Sequence, residues 1–204
     1  MKRVKGAVFV QPIVYGSVST WQGPDADQFK AHHWYIFVRG LYHEDLSYFV
    51  DHVEFVLHET LQPPVRIVRE PPYEIEDYGW GEFEVIIRIH FKDKLEKPAD
   101  MYHMLKLFSL TGEKLTTTPV VSDHYDELVF IEPPEKLLSI LEKGTDKKVT
   151  SALGKFTSDF IAQEQEDTSK VQAARRLVQA HSHKLQGRLE ELDKEAALLR
   201  YQVD

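Results

Sequence analysis

Over roughly the first two thirds of the chain, apolar and polar positions alternate with a period of two. The clearest run is EFEVIIRIHF, in which Phe83, Val85, Ile87, Ile89 and Phe91 share one side and Glu82, Glu84, Arg88 and His90 the other. Such alternation predicts a strand with one buried face. VKGAVFVQPIVYG, HHWYIFVRGL, FVDHVEFVLH, MYHMLKLFSL and YDELVFIE read as further strands, separated by the breakers GPDAD, LQPPV, EPPYE and LTGEK. Strands this closely spaced, without helical patterns between them, favour an antiparallel sandwich over a parallel sheet. The region up to about residue 131 is therefore expected to be all-β. Trp34 is expected in its core, and Pro71, Pro72 and Tyr73 at a turn and an edge strand, where proline is tolerated.

After residue 131 the period changes. The paired prolines of IEPPEKLLSILEKG stop a strand, and EKLLSILEK carries helical spacing closed by Gly144. Beyond Lys155 proline is absent and glycine occurs only at Gly187, while Val171, Val178, Leu185, Leu192 and Leu199 recur every seven residues. A strict heptad implies a seam held against a partner helix. The second seam is Arg175, Ser182, Leu189, Ala196 and Val203, apolar only in its last three positions. A coiled coil is thus expected toward residues 178–203, for dimerisation or docking into a complex. A single amphipathic helix folded back on the sandwich is the alternative.

Composition narrows the chemistry. The 204 residues suffice for one good core plus an appendage. Without cysteine there are no disulfides, thiolate metal sites or cysteine nucleophiles, which suits a reducing compartment. A net charge of -8 argues against broad nucleic-acid binding and for a basic partner. No apolar run is long enough to cross a membrane, and the N-terminus lacks the long apolar core of a signal peptide. The HH pair at 32 and 33 invites a metal reading, but no HExxH and no compact ligand cluster accompanies it. No GxSxG elbow and no phosphate-binding loop occurs either. No metal or cofactor is expected, and a binding module leads over an enzyme.

Two loops carry the candidate chemistry: LHETLQPPVR, residues 57–66, and EDYGWGEFE, residues 76–84. His58 and Thr60 place polar groups beside apolar Leu57 and Leu61. Gly79 and Gly81 leave the backbone N–H groups around Trp80 open to close approach. An exposed aromatic face next to backbone donors suits a flat, neutral, polarisable group such as an amide.

LHET, PPYE and GWGEFE occur together and in that order, and with the flanking strands the chain over residues 2–134 resembles a YEATS domain. The likeness is to the short kind found in chromatin-remodelling and histone acetyltransferase complexes, which carries a C-terminal coiled coil. The resemblance implies an immunoglobulin-like sandwich that reads acylated lysine on histone tails, H3 being the expected one, in the nucleus. Carried over by position, it implies that Trp80 stacks on the acyl-lysine amide while the N–H groups of Trp80 and Gly81 receive the acyl oxygen. Thr60 then accepts the lysine amide N–H, His58 holds that hydroxyl and lines the channel, and Gly79 and Phe83 shape the loop. A third loop normally adds an aromatic or histidine; here that position is Lys30, next to Phe29. His32 either lines the groove or caps a turn. Glu76, Asp77 and Glu82 are expected to face basic residues flanking the modified lysine, each exposed pair being worth under about 1 kcal/mol.

One position departs from the family pattern: Leu61 stands where an aromatic usually forms the second slice around the acyl group. Losing a stacking partner worth about 0.5–1.5 kcal/mol lowers affinity by about tenfold at most. Two functions therefore stay open, an acetyl- or crotonyl-lysine reader and an assembly subunit docked through its coiled coil with a weakened pocket. The expected organisation is a sandwich over 1–134, a short helix and linker over 135–154, and a helical coiled-coil segment over 155–204. Partners are an acylated histone tail, complex subunits through 155–204, or a second copy; neither membrane nor direct nucleic-acid contact is expected.

Overall fold

The computed structural model describes residues 2–109 and 118–201. The expected break at LTGEK, from residue 110, and Val203 of the second seam lie outside the described residues. Within them the strands are β1 (Val8–Trp21), β2 (His32–Gly40), β3 (Val50–Val56), β4 (Val65–Val68), β5 (Tyr73–Gly79), β6 (Glu84–Phe91), β7 (Ala99–Met104) and β8 (Val120–Ile131). They form two four-stranded sheets, β5-β2-β1-β8 and β4-β3-β6-β7, antiparallel throughout. The alternation in β6 emerges as read: Val85, Ile87, Ile89 and Phe91 are buried between the sheets. Trp34, Phe49 and Phe55 have essentially no exposed surface. Each such side chain contributes about 1.5–3 kcal/mol by leaving water.

Three details differ from the hydrophobic pattern. β1 continues past Gly16 through Ser17 and Ser19, both buried. Ser17 Oγ lies 2.9 Å from His103 Nε2, and Ser19 Oγ donates to the Lys106 carbonyl at 2.9 Å, so these polar atoms are satisfied inside and leave no hydrophobic signature. β4 is a four-residue strand between two proline pairs, too short for its alternation to register. Conversely, the predicted strand over MYHMLKLFSL stops pairing at Met104, although Leu105 and Leu107 remain buried.

α1 (Glu135–Lys143) buries Leu137 and Leu141 and ends at Gly144, whose φ of 60° glycine adopts without strain. The chain then crosses the β5-β2-β1-β8 sheet as a strap. Asp45 N–H donates to the Lys147 carbonyl and Val149 N–H to the His43 carbonyl, both at 2.8 Å. Ser151 Oγ donates to Glu74 at 2.6 Å, and the Arg39 guanidinium donates to the Ser158 carbonyl at 3.3 Å. Ser158 donates through both N–H and Oγ to Asp123 of β8, each at 2.7 Å. Leu153 of the strap is buried, and Phe37, facing away from the inter-sheet core, is buried with it.

The chain divides into two units, Met1–Ser158 and Asp159–Asp204. The second is α2 (Phe160–Tyr201), opened by the Asp159 carboxylate accepting the Ala162 N–H at 3.0 Å. Val171, Val178, Leu185, Leu192 and Leu199 are all exposed on it. No helix among the described residues is long and apolar enough to cross a membrane.

Candidate functional site

The loop from β3 to β4 is closed at its base by Leu57 N–H donating to the Pro64 carbonyl at 2.7 Å. Inside it Leu61 N–H donates to the His58 carbonyl at 3.0 Å. His58 Nδ1 accepts the Thr60 N–H at 3.4 Å and lies 2.9 Å from Thr60 Oγ. A ring nitrogen that accepts an amide carries no proton, so the threonine hydroxyl is the donor to it. The hydroxyl oxygen is thereby left with its lone pairs for an incoming N–H. Both side chains are exposed, whereas Leu61 is half-buried and packed on the core.

The loop from β5 to β6 is set by what lies beneath it. Gly79 pairs with His32 at the end of the β5–β2 ladder. A Cβ there would stand 3.1 Å from the Trp34 indole nitrogen, and Trp34 is fully buried. A side chain at residue 79 would make the backbone or the indole give by a few tenths of an ångström, so glycine suits this close approach. The next residue, Trp80, has 64% of its surface exposed, and the space over Gly81 is open.

Phe83 joins the two loops. Its ring meets Trp34 edge-on at 6.0 Å and His58 at 6.2 Å between centroids. His58, Thr60, Leu61, Gly79, Trp80, Gly81 and Phe83 thus belong to one end of the sandwich. Arg66 of β4 ties the same region laterally: it donates to the Pro63 carbonyl of the first loop, to the Glu76 carbonyl at 3.0 Å, and pairs with the Asp77 carboxylate of β5. Sequence reasoning did not single out Arg66, because its partners become visible only once β4 and β5 are known to edge opposite sheets.

The acidic residues have internal partners. Asp77 is engaged by Arg66 and by the Tyr78 N–H. Glu76 lies 3.1 Å from His33, whose ring stacks on Tyr78 at 4.5 Å. Glu82 accepts the N–H groups of Leu107 at 2.9 Å and Phe108 at 3.3 Å and pairs with Lys106 at 3.0 Å. Burial works to raise the Glu82 pKa, but those amides and Lys106 outweigh it and hold the carboxyl below its ordinary value. His32 is buried edge-on to Phe108 at 5.1 Å, and burial lowers its pKa against the opposing pull of Glu82. Phe29 is exposed in a short 3-10 turn, Gln28–Lys30, where Asp27 accepts its N–H at 2.7 Å. Among the described residues no three histidines or carboxylates gather as a metal site.

Comparison with known proteins meets the chain at these loops. The YEATS family pattern matches residues 29–109. Transcription initiation factor TFIID subunit 14b of Arabidopsis thaliana is 34% identical over 94% of this chain and 82% of its own length. The protein AF-9 homolog of Saccharomyces cerevisiae is 34% identical over 97% of this chain and 96% of its own length. A crystal structure of the Yaf9 YEATS domain bound to H3K27ac is 38% identical, with a TM-score of 0.61 over 70% of this chain and 99% of that one. A second, of the same domain recognizing an H3K122suc peptide, is 38% identical with a TM-score of 0.58 over the same shares. With relatives this similar over nearly the whole chain, and with the sandwich and loops that carry the motifs in place, the chain belongs to the YEATS family.

Proposed function

We propose that the protein reads acyl-lysine, acetyl or crotonyl, on the tail of histone H3, as a non-enzymatic subunit of a nuclear chromatin-remodelling or histone acetyltransferase complex. The observation that carries this is the bare indole of Trp80 between two glycines, next to a threonine hydroxyl oriented by His58. Solved relatives at 38% identity hold acylated H3 peptides. The amide of the modified lysine stacks on Trp80; its oxygen meets the N–H groups of Trp80 and Gly81, and its N–H goes to Thr60. Leu61 supplies apolar contact opposite, Phe83 and Gly79 hold the loop, and His32 backs it from the interior. Phe29 and Glu76 border the path of the flanking tail, Glu76 acting on encounter and orientation, while Asp77 and Glu82, bound by Arg66 and Lys106, hold the neighbouring loops in shape. An unmodified lysine is rejected because its charge resists entry into a slot without a counter-ion, and acylation removes that charge.

Titration of the full chain with acetylated and unmodified H3 peptides tests this. Binding is expected for the acetylated peptide alone and is lost in Trp80→Ala and weakened in Thr60→Val; equal affinity for both peptides overturns it. A second role, assembly through residues 155–204, is supported by the exposed heptad of Val171, Val178, Leu185, Leu192 and Leu199. If docking is the whole function, removing 155–204 abolishes complex association while Trp80→Ala leaves function intact.

A further inference from the structure

The two sheets have two lateral margins. On one, β4 and β5 are laced together by Arg66. On the other, where β8 and β7 are the outer strands, the sheets leave a groove of about 240 Å³. Five consecutive residues of β8, Asp126 to Phe130, line it, opposite Glu96, Lys97, Ala99, Asp100 and Met101. Consecutive rather than alternate residues face a groove when a strand presents its backbone edge. No strand among the described residues pairs with β8 on that side.

Edge strands are ordinarily guarded by lysine or proline. β8 contains neither, nor arginine. Its Val129 and Ile131 are 52% and 69% exposed and stand in register with exposed Val10 and Val8 of β1, so an apolar strip runs along the margin. Beside it, Asp126 and Glu127 have no cationic partner among the described residues: Asp126 accepts the Glu127 N–H, and Glu127 accepts the Tyr125 hydroxyl. The carboxylates across the groove are already neutralised, Asp100 by Arg88 and Glu96 by Arg3.

We propose that β8 accepts an added strand from a partner protein, an extended segment in which lysine or arginine alternates with β-branched residues. Backbone bonds along the edge supply the attachment, the valine strip takes the apolar side chains on the outer face, and Asp126, on the opposite face of β8, takes the cations, with Glu127 adding to the negative field. A second copy of this chain fits poorly, since pairing β8 with itself sets like charges against each other.

The probe is a short peptide of alternating lysine and valine, added to the isotope-labelled full chain. Chemical-shift changes and hydrogen-exchange protection are expected at β8 amides, unchanged in Trp80→Ala, which separates this site from acyl-lysine reading. The Asp126→Lys/Glu127→Lys double variant is expected to weaken binding about tenfold through loss of the exposed Asp126 pair and replacement of both negative charges by repulsion. Val129→Lys, which installs the missing guard, blocks it, and circular dichroism confirms that both variants fold. Undiminished affinity both for a peptide N-methylated at its valines and for one N-methylated at its lysines would show attraction by charge alone and overturn the proposal. So would shifts confined to another surface, or sedimentation showing that the chain pairs with itself through this edge.

Discussion

Arg66→Ala is the most informative single perturbation, because Arg66 lies outside the proposed contact surface and yet holds both loops. The guanidinium is largely buried, with 17% of the side chain exposed, and Asp77 is 31% exposed. Removing it deletes donors to two carbonyls and one carboxylate. A neutral bond contributes about 0.5–1.5 kcal/mol net, and a half-exposed ion pair about 1 kcal/mol at most. With partial compensation by water, the expected loss is about 2 kcal/mol. For a protein of this size that lowers Tm by about 4–8 °C, at 2–4 °C per kcal/mol. Affinity for acetylated H3 peptide is expected to fall by more than unfolding explains, about three- to tenfold at a temperature where the variant is fully folded, because the loops are no longer pinned to each other. Arg66→Lys keeps the charge without the planar fork and should recover only the Asp77 pair. A double-mutant cycle with Asp77→Asn should return a coupling of about 1 kcal/mol. Unchanged Tm and affinity in Arg66→Ala would refute the bracing role; lost stability with unchanged affinity would refute the link from brace to binding.

Gly79→Ala sets about 1 kcal/mol of crowding against Trp34 beside a similar gain from a less flexible unfolded chain, so denaturant midpoints should barely move while peptide affinity drops as the Trp80 loop lifts. Leu61→Phe restores a second aromatic surface and is expected to tighten acyl-peptide binding by up to about tenfold in calorimetric titration; no change would place residue 61 outside the slot. Burial first, and the neighbouring charge of His124, lower the His103 pKa from its ordinary value of 6.5 to about 4. The unfolded chain therefore binds the extra proton as pH falls from 6.5 toward 4, and stability should fall across that window by about 3 kcal/mol, then level off. Urea denaturation at several pH values checks this, and His103→Gln should flatten the profile.

The sandwich was legible because β6 and its neighbours alternate cleanly and each buries one face. β4 was not, since four residues between prolines have no period to read, and the far half of β1 was hidden by serines that are satisfied internally. In the candidate site, GWG and HET are local motifs, readable where they stand. The supports were invisible for the opposite reason. Arg66 meets Asp77 across eleven positions and Glu82 meets Leu107 across twenty-five, and only the topology brings them together. Asp77 and Glu82 read as surface charge awaiting a ligand, and the fold gives each a neighbour that sequence distance conceals.

The strap from Gly144 to Ser158 gives the molecule a defined mechanical response. A load drawn through the C-terminal helix reaches Ser158 first, where two bonds to Asp123 stand in its way. Next in line are Ser151 on Glu74 and then Val149 on His43, each a separate anchorage at a different strand or turn. The strap is thus sewn down stitch by stitch, and its Ser151 stitch lies on Glu74 of β5, the strand that carries the Trp80 loop, so a pull on the helix has a route to that loop.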